Sequence, residues 1–291
     1  MASMRDIKRR KGSIQSTAQI TKAMKLVSTV RFQKAKGRAE NSKPYFDKMY
    51  ETVFSILSKT GSMTHPYLTP GDSKKKAIIV ITSNRGLAGG YNSNIVKQVL
   101  NSGIPAEDAL LYTIGTKGRD TLAKRGYVVA KDYSETIDEP TYKAAKDIGK
   151  DVLDAFGNNE IGEIYLAYTS FKNTITHIPK LIQLLPVKTE GAEEDTKVSD
   201  GEKTAYAPMN FEPEAEETLN GIVPKYINSL IYGGLMESVA SENGARMTAM
   251  DNATSNAEDM IQELELSYNR ARQGAITQEI TEIVSGSEAL A

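Results

Sequence analysis

The two ends of the chain are patterned differently from its middle. All ten prolines fall between Pro44 and Pro224, so the first 43 and last 67 residues lack the residue that most reliably stops a helix. In the first stretch Ile7, Ile14, Thr17, Ile20, Met24 and Val27 advance by sevens or by threes and fours, which predicts one long helix over residues 1–60 facing a partner helix. In the last, residues 213–291, Val239, Met250, Ala253, Ala257, Met260, Leu264, Tyr268 and Ala271 keep a similar step. A ridge of small residues at every fourth position, Ser241, Ala245, Ala249, Ala253 and Ala257, would let another backbone come close. Both stripes are too narrow for a globular core and suit an antiparallel two-helix coil.

Between the ends, strand and helix alternate. "KKKAIIVITS" (74–83), "ALLYTIG" (109–115), "YVVAKDYS", "IGEIYLAYTSF" and "HIPKLIQLLPV" read as five strands. "SNIVKQVLNS", "TKGRDTLAKRG" ended by Gly126, and "PTYKAAKDIGKDVLDAFG" behind Pro140 read as the intervening helices. This order predicts an α/β domain with a largely parallel sheet over residues 74–188, followed by an acidic, turn-rich loop over 189–212. The expected fold is therefore α/β plus coiled coil.

Helix length adds a constraint. About 55 and 77 helical residues span roughly 80 and 115 Å, far beyond the radius of gyration of about 13–14 Å for a domain of this middle size. The helices are expected to protrude, and the last to overshoot the first by roughly 35 Å. Ile276, Ile280, Ile283 and Leu290 would then lie at helical spacing with nothing in the chain to cover them, as binding surfaces do.

Composition removes several chemistries. The chain has no cysteine, hence no disulfide, thiol nucleophile or thiol redox switch, and its two histidines, His65 and His177, lack the spaced partners of a metal motif. No run of about 18 apolar residues exists, and the basic start is not followed by a signal-peptide core, so a cytoplasmic chain is expected. Charge is unevenly placed. Residues 1–38 hold eleven Lys or Arg against the single Asp6, and residues 239–291 hold nine acids against three Arg, which favours pairing the termini with each other. The basic helix admits a nucleic-acid reading, but the acidic one would neutralise part of it and no aromatic precedes Phe32 for stacking; no nucleic-acid partner is expected.

The loop "TSNRGLAGGYN" stands where a phosphate loop would, yet it contains neither G-x-x-x-x-G-K-[ST] nor G-x-G-x-x-G. Gly86, Gly89 and Gly90 are read as permitting a tight strand-to-helix turn. No catalytic motif, cofactor or metal site is expected. The residues alone leave a coiled-coil adaptor with an α/β head, or a nucleotide-using α/β enzyme, as alternatives.

"MRDIKRRKGSIQSTAQITKAMKLVS" and "RARQGAITQEITEIVSGSEAL", with "TSNRGLAGGYN" and "SENGARMTAMDNATSNA", resemble the gamma-subunit family of rotary F-type ATP synthases over nearly the whole chain. Departures are small: Ser287 and Gly274 replace the usual residues, Lys11 and Gly12 replace a more apolar pair, and Ala88 stands where some members carry cysteine. The cysteine-bearing insertion of chloroplast members is missing, which points to a bacterial form. The resemblance implies a non-catalytic shaft inside a ring of three alpha and three beta subunits, with nucleotide sites on beta. It further implies that the α/β end meets the epsilon subunit and the c-ring, so that membrane association is indirect and peripheral, on the cytoplasmic face of a bacterial cell membrane. By match to the family pattern, Lys22, Met24, Lys25 and Arg31 of the first helix and Arg272, Gln273, Thr277, Glu279 and Glu282 of the last are the implied contacts with the ring.

Overall fold

The computed structural model describes residues 4–59, 65–174, 176–187 and 215–288. The chain divides into two units. One takes residues up to Val30 and those from Arg246 on, and the other runs from Arg31 to Ala245. Both draw on the same two helices, α1 (Met4–Lys59) and α5 (Ala215–Glu288). The predicted acidic loop 189–212 and Leu290 lie outside the described residues.

The α/β unit is a five-stranded sheet of β1 (Lys76–Ile81), β2 (Ala109–Ile114), β3 (Val128–Asp132), β4 (Glu163–Phe171) and β5 (His177–Leu185), in the order β3-β2-β1-β4-β5. Helices α2 (Tyr91–Leu100), α3 (Thr116–Ala123) and α4 (Tyr142–Gly157) connect the parallel strands. Strand β1 lies centrally and pairs in parallel with both β2 and β4. Its continuous run of apolar residues follows from burial on both faces. Ala77, Ile79 and Ile81 join α4, α5 and the end of α1 in one core, whereas Ile78 and Val80 join residues of α2 in the other. On α5, Leu219, Val223, Ile227, Ile231 and Leu235 supply a ridge at every fourth residue to the first core.

The sheet departs from the expected parallel order at one edge, where β5 runs antiparallel to β4. The five residues between these strands are too few for a crossover, so the chain turns straight back as a hairpin. A short 3-10 turn, Ser134–Ile137, was also not foreseen. Of the helix ends, the stop at Gly126 was expected, whereas the cap on α4 comes from Thr141, the residue after Pro140. The Thr141 hydroxyl accepts from the Ala144 N–H to cap α4, and Gly126, at φ +88°, carries the chain away from α3.

Strand β4 outruns β1, whose pairing with it ends at Ala167. Beyond that point α5 replaces the missing strand. The Thr169 N–H donates to Ser238 Oγ (3.2 Å), Ser241 Oγ donates to the Thr169 carbonyl (3.3 Å), and the Phe171 N–H donates to Glu237 Oε2 (3.0 Å). Small residues allow this approach: a Cβ at Gly234 would lie 3.1 Å from Leu166 Cδ2. Ser241, the first member of the small-residue ridge, thus packs on a strand and not on a helix.

Two glycines offer a graded test. Gly115 combines φ +102° with a close approach in which a Cβ would overlap the Thr82 carbonyl, whereas Gly126 has positive φ but open space around it. Gly115→Ala is expected to destabilise the α/β unit by roughly 2–4 kcal/mol, strain plus overpacking. Gly126→Ala is expected to cost strain alone, about 1–2 kcal/mol. Urea unfolding followed by circular dichroism separates the two; equal costs would contradict this account.

Candidate functional site

In the coil unit three side-chain contacts fix the register of α1 against α5. Lys11 Nζ meets Glu265 Oε1 at 2.5 Å, Lys25 Nζ meets Asp251 Oδ1 at 2.6 Å, and the Thr254 hydroxyl lies 2.8 Å from that of Thr21. The residue numbers of each pair add to 275 or 276, the signature of one unshifted antiparallel alignment. The covered residues on α1 are Ile7, Lys11, Ile14, Ala18, Thr21, Lys25 and Ser28, in alternate steps of four and three. Those on α5 are Met250, Thr254, Ala257, Ile261, Leu264, Tyr268 and Ala271, stepping the same way. This average of 3.5 is the coiled-coil repeat.

The seam corrects the predicted stripes. Thr17, Ile20 and Val27 face outward, with Ile20 61% and Val27 56% exposed, and Met260 yields its place to Ile261. The small ridge also falls partly aside, because a step of four drifts away from a 3.5-residue seam. Beyond Ile7 and Ile14, what fills the seam on α1 is small or polar: Ala18, Thr21, Lys25 and Ser28. Along that stretch the large apolar residues of α1 lie outside it. Leu26 and Val30 join Ile20 and Val27 on the exposed surface of α1.

The same register places the start of α1 opposite about Arg272. Helix α5 continues to Glu288, an overhang of about 24 Å at 1.5 Å per residue, shorter than the roughly 35 Å expected from helix lengths alone. Ile276, Ile280, Ile283 and Val284 there are each about half exposed or more. Apolar side chains repeated at helical spacing along an open surface mark a partner site.

The implied contact residues are placed as follows. Lys22, Arg272, Gln273, Thr277, Glu279 and Glu282 are exposed on the coil unit, and Met24 is half-buried. Lys25 is engaged with Asp251. The Thr277 hydroxyl donates to the Gln273 carbonyl (2.9 Å), and Gln278 Nε2 donates to Glu282 Oε1 (2.9 Å). Arg31 belongs to the α/β unit. There it lines a groove of about 490 Å³ with Lys34 and Arg38, one helical face of α1, and with Arg85, opposite Asp138 and Glu242. Lys34, Arg38 and Arg85 were not singled out from sequence, although 31, 34 and 38 carry the i, i+3, i+7 spacing that would have joined them.

The loop after β1 is braced from within. Thr82 Oγ1 accepts from the Gly118 N–H (2.9 Å) and Asn84 Oδ1 from the Thr116 N–H (3.1 Å), so side chains of the loop occupy amides at the start of α3. Ser83 Oγ and Asn92 tie the loop to α2. Of its three glycines only Gly89 has positive φ, and Leu87 shares that conformation at φ +62°. Crevices at the carboxyl ends of such strands, where the order reverses, commonly hold ligands. Here Ser238 and Ser241 of α5 bond the backbone at the end of β4. Asp132, at the end of β3, is likewise spent: burial pushes its carboxyl up, but hydrogen bonds from Ser134, Arg119 and Thr113 more than offset this and hold it below its usual value.

Comparison with known proteins bears on the whole chain. A family model described as ATP synthase matches residues 3–290. The ATP synthase gamma chain of Lachnoclostridium phytofermentans is 66% identical over 290 residues, covering all of both chains. The sodium-ion-specific ATP synthase gamma chain of Acetobacterium woodii is 44% identical, covering 99% of this chain and 98% of the relative. Among solved structures, a chain of the central stalk and c-ring of the Tetrahymena thermophila mitochondrial ATP synthase shares 28% identity with a TM-score of 0.58, over 80% of this chain and 99% of that one. A chain from the Euglena gracilis mitochondrial enzyme shares the fold at 16% identity with a TM-score of 0.67, over 99% and 94%.

The Thr21–Thr254 contact in the seam is testable by a double-mutant cycle. Thr21→Val and Thr254→Val are each expected to cost about 0.5–1.5 kcal/mol, the loss of the bond between the hydroxyls, since the one that remains keeps a backbone carbonyl, Ala18 for Thr21 and Met250 for Thr254. The double variant should cost less than their sum by about 1 kcal/mol. Hydrogen exchange of seam amides supplies the free energies; strict additivity would mean that the two hydroxyls do not interact.

Proposed function

This chain belongs to the ATP synthase gamma-chain family, and we propose that its coil carries the contacts through which rotation reaches a surrounding ring of alpha and beta subunits. The chain is a central-stalk rotor subunit that couples ion-driven rotation to ATP synthesis and hydrolysis. The observation that carries the proposal is the outward apolar surface of the coil unit: Ile20, Val27 and Val30 on α1 and the uncovered end of α5. A coil that leaves apolar residues of this size on its outer surface is complete only inside other proteins.

A rotor must bind its ring differently at each position, because only differential contact shifts a conformational population. A tenfold bias takes about 1.4 kcal/mol. Solvated ionic contacts, worth about 0–1 kcal/mol each, fit this need because they can be exchanged at every step. Lys22, Lys25, Arg31, Arg272, Glu279 and Glu282 are proposed to make them, with Met24, Gln273 and Thr277 as uncharged contacts with the ring beside them. Among the described residues Lys22, Arg31 and Arg272 have no ion-pair partner and remain available for one. Lys25 would have to share or exchange Asp251.

The α/β end is proposed to bind the c-ring and the epsilon subunit, at the cytoplasmic face of a bacterial membrane. No helix among the described residues is long and apolar enough to cross a membrane, so attachment through the c-ring supplies the association.

Deletion of Ile276 to Ala291 is expected to abolish or greatly weaken coupled ATP synthesis in membranes while leaving unfolding of the α/β unit unchanged. Tagged full-length chain should co-purify alpha and beta subunits from the same membranes. Unimpaired synthesis with the truncated chain, or recovery of the tagged chain alone, would refute the proposal.

A further inference from the structure

The outer end of the β4–β5 hairpin holds a titratable group that the rotor contacts do not use. His177 opens β5, opposite Phe171 on β4. Its ring lies 6.2 Å from that of Phe171, which in turn meets Phe32 of α1 at 5.6 Å. The fourth wall is α5. A Cβ at Gly244 would come within 3.0 Å of His177 Cε1, so the helix approaches the imidazole as closely as glycine allows. Both ring nitrogens are buried, and no side chain hydrogen-bonds to either.

Such a box suits a neutral imidazole. A second proton would create a buried cation with two N–H donors and only the Thr174 backbone to favour it, and the apolar walls cannot solvate it. Burial pulls the ring's affinity for a proton down, against a lesser opposing pull from the Thr174 backbone. The elements packed around the ring bear charges of both signs. The hairpin carries Lys172 and Lys180, α5 carries Glu237, Glu242 and Arg246, and α1 carries Arg31 and Lys34 beside Phe32. Glu237 is spent on the Phe171 N–H. None of the others bonds to the imidazole, so no carboxylate stands ready to receive the proton's charge.

We propose that His177 is an acid-released latch: the neutral ring clamps the β4–β5 hairpin onto α5 at Gly244, and protonation frees the hairpin end and loosens the seat of the helix on β4. The sign follows from linkage. In the released state the ring has its ordinary pKa of 6.5, and in the clamped state a lower one. Clamping is therefore fully present above pH 6.5 and is lost as pH falls below it. Within that window each pH unit raises the ratio of released to clamped forms by up to about tenfold.

The test uses the full-length chain. Amide hydrogen exchange of residues 169–182, corrected for intrinsic rates, is compared at pH 7.5 and 5.5 in the parent, His177→Phe and His177→Gln. The expected result is an opening ratio that rises several-fold, up to about tenfold, in the parent and stays level in both variants. Glutamine keeps a polar side chain without titrating, and so preserves the comparison should phenylalanine fail to pack. Proton NMR of the parent needs no variant: the His177 ring signal, identified by its contact with Phe171, should titrate below pH 6.5. An equal acid response in parent and glutamine variant, or a His177 signal titrating at or above 6.5, would overturn the latch.

Discussion

Strand β4 extends past β1, and its exposed backbone groups must find partners or forfeit about 1–3 kcal/mol each. Helix α5 meets that demand with Ser238, Ser241 and Glu237, and can come near enough only because Gly234 and Gly244 carry no side chain. The rest of the α/β unit follows from this seat. Once the helix occupies the end of β4, the ridge from Leu219 to Leu235 falls over the β1 face of the sheet, and α4 must fit beside it. Gly149 records how tight that fit is, since a Cβ there would overlap Asn228 Oδ1.

The same arrangement explains how an architecture built for ligands serves as a scaffold. Where strand order reverses, an open α/β sheet usually offers a crevice. In this chain serines from α5 engage the backbone of β4 there, while Thr82 and Asn84 hold the amides of α3. The polar residues that look catalytic in a list of types are engaged in bracing loops to strands.

The alternation of strands and helices was legible because the central parallel strands β1 and β2 write their residues as unbroken apolar runs, and Gly126 and Pro140 punctuate the helices. The antiparallel edge was not, since only the short gap from Lys172 to Thr176 betrays a hairpin. The coil gave a subtler failure. Following the largest apolar residues selects Ile20 and Val27, which face outward, and passes over Thr21 and Ser28, which are buried. Two surfaces compete along α1, one for α5 and one for partners outside the chain, and size favours the wrong one. The groove cations were hidden for another reason: Arg85 joins Arg31, Lys34 and Arg38 only after the fold brings a distant loop to the helix.

A seam that repeats every 3.5 residues on helices of 3.6 residues per turn winds the pair into a left-handed superhelix. A wound object of one hand cannot respond alike to torque of either sense: twisting one way tightens its turns and presses Thr21 towards Thr254, whereas the reverse slackens them. Forward and backward strokes therefore load unlike sets of contacts, an inequality present in the chain before any fuel is consumed.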